Sequence, residues 1–286
     1  MKIVVTGANG QLGSVLVREL SDGFEVIPLT HEDIEIGDPE SQRTVLSGIK
    51  PDVLINTAAF HNVPKCEEER DTAYRVNGYA LKELAMLCNE LGTYLIHIST
   101  DYVFDGSKGK PYVETDTPNP LNTYGISKLV GEIYIKNYSE DYAIVRVSGL
   151  YGLNPCRAKG GRNFVETMIY LAEQGKDIKV VDDQFITPTF TLDVARQMKI
   201  IVKNHIQGII HCTNEGETNW YEFARAIFRL SGINANLSPR KSDPVVDIKR
   251  PFYSVLENKV LKNAGVNVMK PWQEALKEYL SKRGLL

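Results

Sequence analysis

The chain has 286 residues, 43% of them apolar, which is enough for a large domain with a real core. Thirty-six acidic residues against 33 basic ones leave a formal net charge of -3, so there is no basic surplus to hold nucleic acid or an anionic membrane. Cys66, Cys88, Cys156 and Cys212 stand too far apart for a CxxC pair or a Cys/His zinc cluster, no metal is expected, and no apolar run approaches the roughly 18 residues that span a bilayer.

In chain order, Lys2–Thr6 reads as a strand that begins at once, without a signal peptide, and the expected compartment is the cytoplasm, with the cysteines reduced. Leu12–Leu20 reads as a helix, Glu25–Leu29 as a strand, Pro39–Ile49 as a helix, and Val53–Ile55 as a strand ending in Asn56-Thr57-Ala58-Ala59. A long helix is predicted over Thr72–Leu91, because Val76, Ala80, Leu84, Leu87 and Leu91 fall on one face. Tyr94–Ser99 is a strand, Tyr124–Asn137 a helix and Ala143–Val147 a strand. Such alternation implies an α/β fold, a Rossmann-type doubly wound parallel sheet covered on both faces.

Beyond Ser148 the rhythm loosens. Helices are predicted over Asn163–Gln174, Asp193–Lys203, Asn219–Ser231 and Pro271–Lys282, with one more strand at Ile209–Cys212. The reading is a dinucleotide-binding domain over 1–148, with 185–215 returning to it, and a smaller α/β carboxyl-terminal substrate lobe from 149–184 and 216–286.

Gly7-Ala8-Asn9-Gly10-Gln11-Leu12-Gly13 joins the first strand to the first helix. Glycines there let the backbone approach a diphosphate, and the helix start offers unpaired N–H groups. An acidic residue near the end of the second strand would hold the adenosine ribose, with Glu32 as a candidate. No Lys or Arg lies between Arg18 and Arg43, which favours NADH slightly over NADPH.

Ser99-Thr100-Asp101 closes the fourth strand, at the edge where open α/β sheets place ligands. Tyr124 and Lys128 are four apart and share a helix face. Reducing a ketone takes a hydride at carbon and a proton at oxygen. A phenol with an ordinary pKa of about 10 is a poor acid–base group at neutral pH, and a nearby ammonium lowers it. The Thr100 hydroxyl can hold the carbonyl oxygen. Of the histidines, His97 and His211 read as strand residues and His205 as surface, while His61 faces the cleft.

The strings Gly7–Gly13, Asn56–Ala59, STDYVFDG from Ser99, PLNTYGISK from Pro120 and RPFYS from Arg250 resemble the dTDP-4-dehydrorhamnose reductase family, nearly end to end. The resemblance implies NAD(H) or NADP(H) as cofactor and a catalytic trio of Thr100, Tyr124 and Lys128. It puts cofactor contacts at Gly7, Asn9, Gly10, Gln11, Leu12, Glu35, Ile36, Ala58, Ala59, Asn77, Ser99, Tyr124 and Lys128. Substrate contacts fall at Thr100, Asp101, Val103, Phe104, Asn163, Gln184, Trp220 and Arg250. Arg250 is the natural partner of a diphosphate. The expected reaction is reduction of a nucleotide-diphosphate-linked 4-keto-6-deoxy sugar. The expected partners are that nucleotide-sugar substrate and a second copy of the chain in a homodimer.

The chain departs from the family pattern on the sugar side, at Gly149 where a Trp is usual, at Phe60-His61-Asn62-Val63-Pro64, and in an insertion-like stretch from Asn154 to Gly161. Sugar-nucleotide dehydratases carry a second carboxylate after the Asp; here Tyr102 follows Asp101, which argues against dehydration. A related epimerase, or a regulatory binder resembling the methionine adenosyltransferase subunit, are the alternatives.

Overall fold

Short β-branched runs separated by amphipathic stretches form the elements, taken from a computed structural model that describes residues 1–286 except 157–159, 244 and 246. The first half runs β1 (Lys2–Thr6), α1 (Gly13–Ser21), β2 (Glu25–Leu29), α2 (Pro39–Ile49), β3 (Val53–Asn56), α3 (Val63–Glu68) and α4 (Arg70–Tyr74). It continues with α5 (Ala80–Leu91), β4 (Tyr94–Thr100), α6 (Thr123–Tyr138) and β5 (Tyr142–Val147). The second half runs β6 (Leu150–Tyr151), α7 (Phe164–Glu173), β7 (Ile178–Val181), β8 (Phe185–Ile186), β9 (Thr189–Phe190) and α8 (Thr191–Asn204). It ends with β10 (Gly208–His211), β11 (Thr218–Asn219), α9 (Trp220–Ser231), β12 (Leu237–Arg240), α10 (Lys259–Asn263) and α11 (Trp272–Lys282).

Six strands pair in the order β10-β5-β4-β3-β1-β2, every neighbour parallel. The chain leaves β1 to one side for β2 and to the other for β3, so a crevice opens at the carboxyl ends of the strands where the order reverses. Side chains alternate between faces, as the period of two requires. Val4, Leu54, Leu95 and Ile144 pack on one face with Leu46 of α2, Leu81 and Leu84 of α5 and Ile135 of α6. Ile3, Val5, Ile55, Ile96 and Val145 face the other side, in a cluster with Leu16 of α1 and Met198 and Ile201 of α8 that runs on to Phe223 of α9 and Leu276 of α11. The register sets Thr6 opposite Asn56, and Asn56 opposite His97.

The long helix predicted over Thr72–Leu91 is interrupted. α4 passes into a π-helical turn over Arg75–Tyr79 before α5 begins. That turn lies against α6 so closely that an added Cβ on Gly131 would stand 2.3 Å from the Asn77 carbonyl oxygen. Under α6 lies a buried ion pair. Arg146 of β5 donates to both carboxylate oxygens of Glu132, at 2.9 and 2.6 Å, with the two side chains 1% and 4% exposed. All four cysteines are free and buried. Among the described residues no helix is long and apolar enough to cross a membrane.

Candidate active site

A cleft of about 700 Å³ occupies the crevice at the ends of β1, β3, β4 and β5. Gly7, Asn9, Gly10, Gln11 and Leu12 line one side, with Ala58 and Ala59 opposite. Gly7 has φ of +68°, and a Cβ there would lie 2.7 Å from the Thr57 hydroxyl oxygen and 3.0 Å from the Ala58 nitrogen, so only glycine fits. α1 starts without a side-chain cap; its Ser14 and Val15 N–H groups donate to Gly10 O and Leu12 O, so what it offers a ligand is the positive end of the helix. Such a cradle, closed to a side chain and open to an anion, fits a dinucleotide diphosphate.

Glu35 and Ile36 line the far end of the cleft with Thr30 and His31. Glu32 is exposed beyond the end of β2 and does not line it. Arg75, from the π turn, does. The Arg75 guanidinium carbon and a Glu35 carboxylate oxygen would stand 3.7 and 3.0 Å from a Cβ on Gly37, so the two charges flank one point of backbone. No base lies between Arg18 and Arg43, yet this end of the cleft carries one, since Arg75 lines it from another element. Asn77 is not in the cleft either. It is buried, its amide oxygen accepts from Phe60 N–H, and its nitrogen donates to Phe60 O and Ser127 Oγ, so it clamps the loop after β3.

Thr100, Tyr124 and Lys128 come together in the cleft. Asn122 caps α6, and Thr123 donates to the Glu67 carboxylate from both its N–H and its hydroxyl, 2.7 Å each, which fixes the turn carrying Tyr124 against α3. Burial pushes the Tyr124 phenol up, against the opposing effect of a hydrogen bond with Thr100. The Tyr102 ring meets the Tyr124 ring edge-on, with centroids 5.8 Å apart. Burial brings the Lys128 ammonium down to about 7, against the pull of Glu132. Lys128 Nζ donates to Ile98 O at 2.6 Å and lies 2.8 Å from His97 Nε2. Ser99 borders the cleft, but its hydroxyl donates to Glu132 at 2.5 Å, so that group is committed behind the strand.

Asp101, Asn163 and Trp220 also line the cleft. Burial raises the Asp101 carboxyl to about 6, while bonds from Ser254, Ser148 and Thr100 oppose the rise. Asn163 is the reciprocal cap of α7 with Glu166, and its nitrogen donates to Gly152 O. Trp220 packs on Phe164, centroids 4.6 Å apart. Val103 and Phe104 do not line the cleft. A 3-10 turn over Asp101–Val103 sends their side chains into a separate cluster with Tyr112 and Leu256, where both are fully buried. Gln184 and Arg250 line a neighbouring cavity of about 270 Å³ with Pro64 and Arg240. That cavity adjoins the cleft, since Val63 lines one and Pro64 the other. Arg250 is near enough for its charge to favour Tyr102 ionisation.

Gly149 has φ of +52°, and a Cβ there would lie 3.2 Å from both Ile186 Cδ1 and Thr187 O. The local backbone asks for glycine, so lost contact with a sugar is not the whole reason for its presence. His61 lines the cleft, with Cys156 Sγ 4.0 Å from its Nε2. Of the insertion-like stretch, residues 157–159 lie outside the described residues, while Asn154 donates to the Ser14 hydroxyl and thereby touches α1. Local sequence reading did not single out Arg75 as a cleft residue, and it read His97 as a strand residue without its contact to Lys128. Arg75 carries no local signal, whereas His97 could be found from its place on the strand leading to Thr100.

A family model described as the RmlD substrate binding domain matches residues 1–284. A spore coat polysaccharide biosynthesis protein of Bacillus subtilis is 43% identical, covering 99% of this chain and 98% of that one. The chain belongs to the dTDP-4-dehydrorhamnose reductase family. This is a family of NAD(P)-dependent oxidoreductases acting on sugar nucleotides. A solved reductase of that family from Clostridium acetobutylicum superimposes with a TM-score of 0.93 at 41% identity, covering 99% of this chain and all of that one. Another, from Bacillus anthracis in complex with NADP, gives 0.93 at 34% identity, covering 98% and 99%.

Proposed function

We propose that the protein reduces the 4-keto group of a nucleotide-diphosphate-linked 6-deoxy sugar, with dTDP-4-dehydrorhamnose to dTDP-rhamnose as the reaction. The observation that carries this reading is the Tyr124 phenol, half-buried in the cleft wall, kept protonated and hydrogen-bonded with Thr100. A reduction needs an acid at the developing alkoxide, and a protonated phenol is one. The nicotinamide cofactor, when bound, supplies the hydride. Gly7, Asn9, Gly10 and the start of α1 would hold its diphosphate, and Glu35 with Arg75 its adenosine end. Thr100 orients the ketone oxygen, Tyr124 gives it a proton from Oη, and the Lys128 ammonium stabilises the phenolate left behind. Residues 149–184 and 216–286 would receive the sugar nucleotide, with Arg250 and Gln184 on its diphosphate side and Trp220 beside the cleft. NADH consumption against a panel of nucleotide 4-keto sugars tests the reading; no turnover of any of them would overturn it.

If Arg250 faces the substrate diphosphate, Arg250→Ala raises KM for the sugar nucleotide by tenfold or more, because charge-assisted bonds are about twice as strong as neutral ones. Affinity for the cofactor stays the same. Loss of cofactor affinity instead would put Arg250 on the wrong ligand.

The flanking of Gly37 by Glu35 and Arg75 supports use of both cofactors. A carboxylate suits a ribose hydroxyl, and a guanidinium suits a 2′-phosphate. Arg75→Ala is expected to weaken NADPH about tenfold, about 1.4 kcal/mol, and to leave NADH within twofold. Fluorescence titration of both cofactors decides it; equal losses would remove Arg75 from the discrimination.

A further inference from the structure

Thr6, Asn56 and His97 stand side by side on β1, β3 and β4, and all three are fully buried. The Asn56 amide oxygen accepts from Ala58 N–H at 3.1 Å and from the Thr6 hydroxyl at 2.7 Å. A backbone N–H can only donate, so the oxygen must face it and the amide nitrogen must face His97 Nδ1, at 3.1 Å. An amide NH₂ can only donate as well. His97 Nδ1 is therefore an acceptor, and the single proton of the neutral imidazole sits on Nε2. That nitrogen lies 2.8 Å from Lys128 Nζ. An ammonium has three donors and no acceptor, so it cannot receive this proton; a neutral amine can, while still donating to Ile98 O at 2.6 Å.

We infer that His97 is a positioning residue that holds Lys128 as a neutral amine in the cofactor-free protein, and that charging Lys128 requires His97 to move its proton from Nε2 to Nδ1. The moved proton would then meet the Asn56 NH₂, donor against donor. Relief comes only by turning the Asn56 amide over, which costs the bond to Ala58 N–H in the loop lining the cofactor side of the cleft. The charge on the catalytic lysine is thus coupled to the peptide that borders the dinucleotide.

The other ionisable groups around Lys128 do not force it to stay charged. Glu132, one turn along α6, favours the ammonium, but both its oxygens are taken by Arg146 and one also by Ser99. Asp101, beyond β4, accepts from Ser254 at 2.6 Å and is itself raised by burial. Tyr124, on the same helix, is protonated. Burial lowers both His97 and Lys128, so two neutral partners are the arrangement the site favours.

The imidazole ¹⁵N spectrum of the cofactor-free protein labelled at histidine tests this directly, since the two tautomers give distinct nitrogen shifts. The His97 signals are assigned by their loss in His97→Gln. At about pH 8 the Nε2–H tautomer is expected; an Nδ1–H tautomer or an imidazolium there overturns the inference. A second arm reads the rate and rests on the proposed roles of Tyr124 and Lys128. The ammonium form is present below the Lys128 pKa and lost as pH rises, so kcat/KM falls on the alkaline side. In His97→Gln the amide can rotate to offer its oxygen to an ammonium, and the falling limb should move up by about one pH unit. A histidine that merely filled space would leave the limb where it is, and that result overturns the inference. An inactive wild type would sink the proposed reaction and leave the ¹⁵N arm standing.

Discussion

Tyr124→Phe is expected to lower turnover by about 10²–10⁴-fold, the range a positioned acid contributes, with the fold intact. The substitution removes one oxygen from a half-buried ring and keeps the ring's packing, including the edge contact with Tyr102. It leaves the glycine loop untouched, so cofactor affinity measured by fluorescence titration should stay within twofold. Circular dichroism and thermal unfolding should match the wild type, which separates lost chemistry from lost structure. Retention of more than half the wild-type rate would mean that the proton comes from elsewhere, and Asp101, raised to about 6 and also in the cleft, would be the next group to test.

Glu132→Ala is expected to give the largest loss of stability. It strands the Arg146 guanidinium, 1% exposed, without its carboxylate, and removes the acceptor of the Ser99 hydroxyl. Breaking one side of a buried ion pair costs about 3–5 kcal/mol, because the remaining charge stays desolvated and unpaired. Urea unfolding should show the midpoint shift at nearly unchanged slope. Removing both charges as Glu132→Leu with Arg146→Met should recover most of the loss, since apolar replacements of similar volume tolerate the site. A single-variant loss below about 1 kcal/mol would show that solvent reaches the pair after all.

The sheet was legible because its strands are covered on both faces, and such strands are nearly continuous apolar runs. The glycine loop and the Tyr124–Lys128 spacing were legible because each is a local geometric requirement. What escaped reading was set by geometry that sequence spacing does not encode. The π turn adds a residue to one helical turn, and the apolar spacing from Val76 to Leu91 reads the same with or without it. Arg75 reaches the Glu35 end of the cleft from that turn, far along the chain from β2, so a search around β2 could not find it. Val103 and Phe104 belong to a recognisable string, yet the string does not say that a 3-10 turn at Asp101 sends them away from the cleft. The two-residue strands β6, β8, β9 and β11 are too short to show any alternation.

The two faces of the sheet are completed at different times in synthesis. The face carrying Val4, Leu54, Leu95 and Ile144 is covered almost wholly by helices that precede β5, with Ile209 the late addition. The opposite face waits for Met198 and Ile201 of α8, and the edge beside β5 waits for β10. A nascent chain that has released only its first half therefore holds a sheet with one apolar side covered by α1 alone and one strand edge still open, a state prone to association with other chains. The last helix to emerge, α11, packs on β9 and α9, so it closes the second half of the chain on itself. Trimming Leu276 and Leu280 from the carboxyl end would uncover residues of the second half, which are themselves among the last to be made.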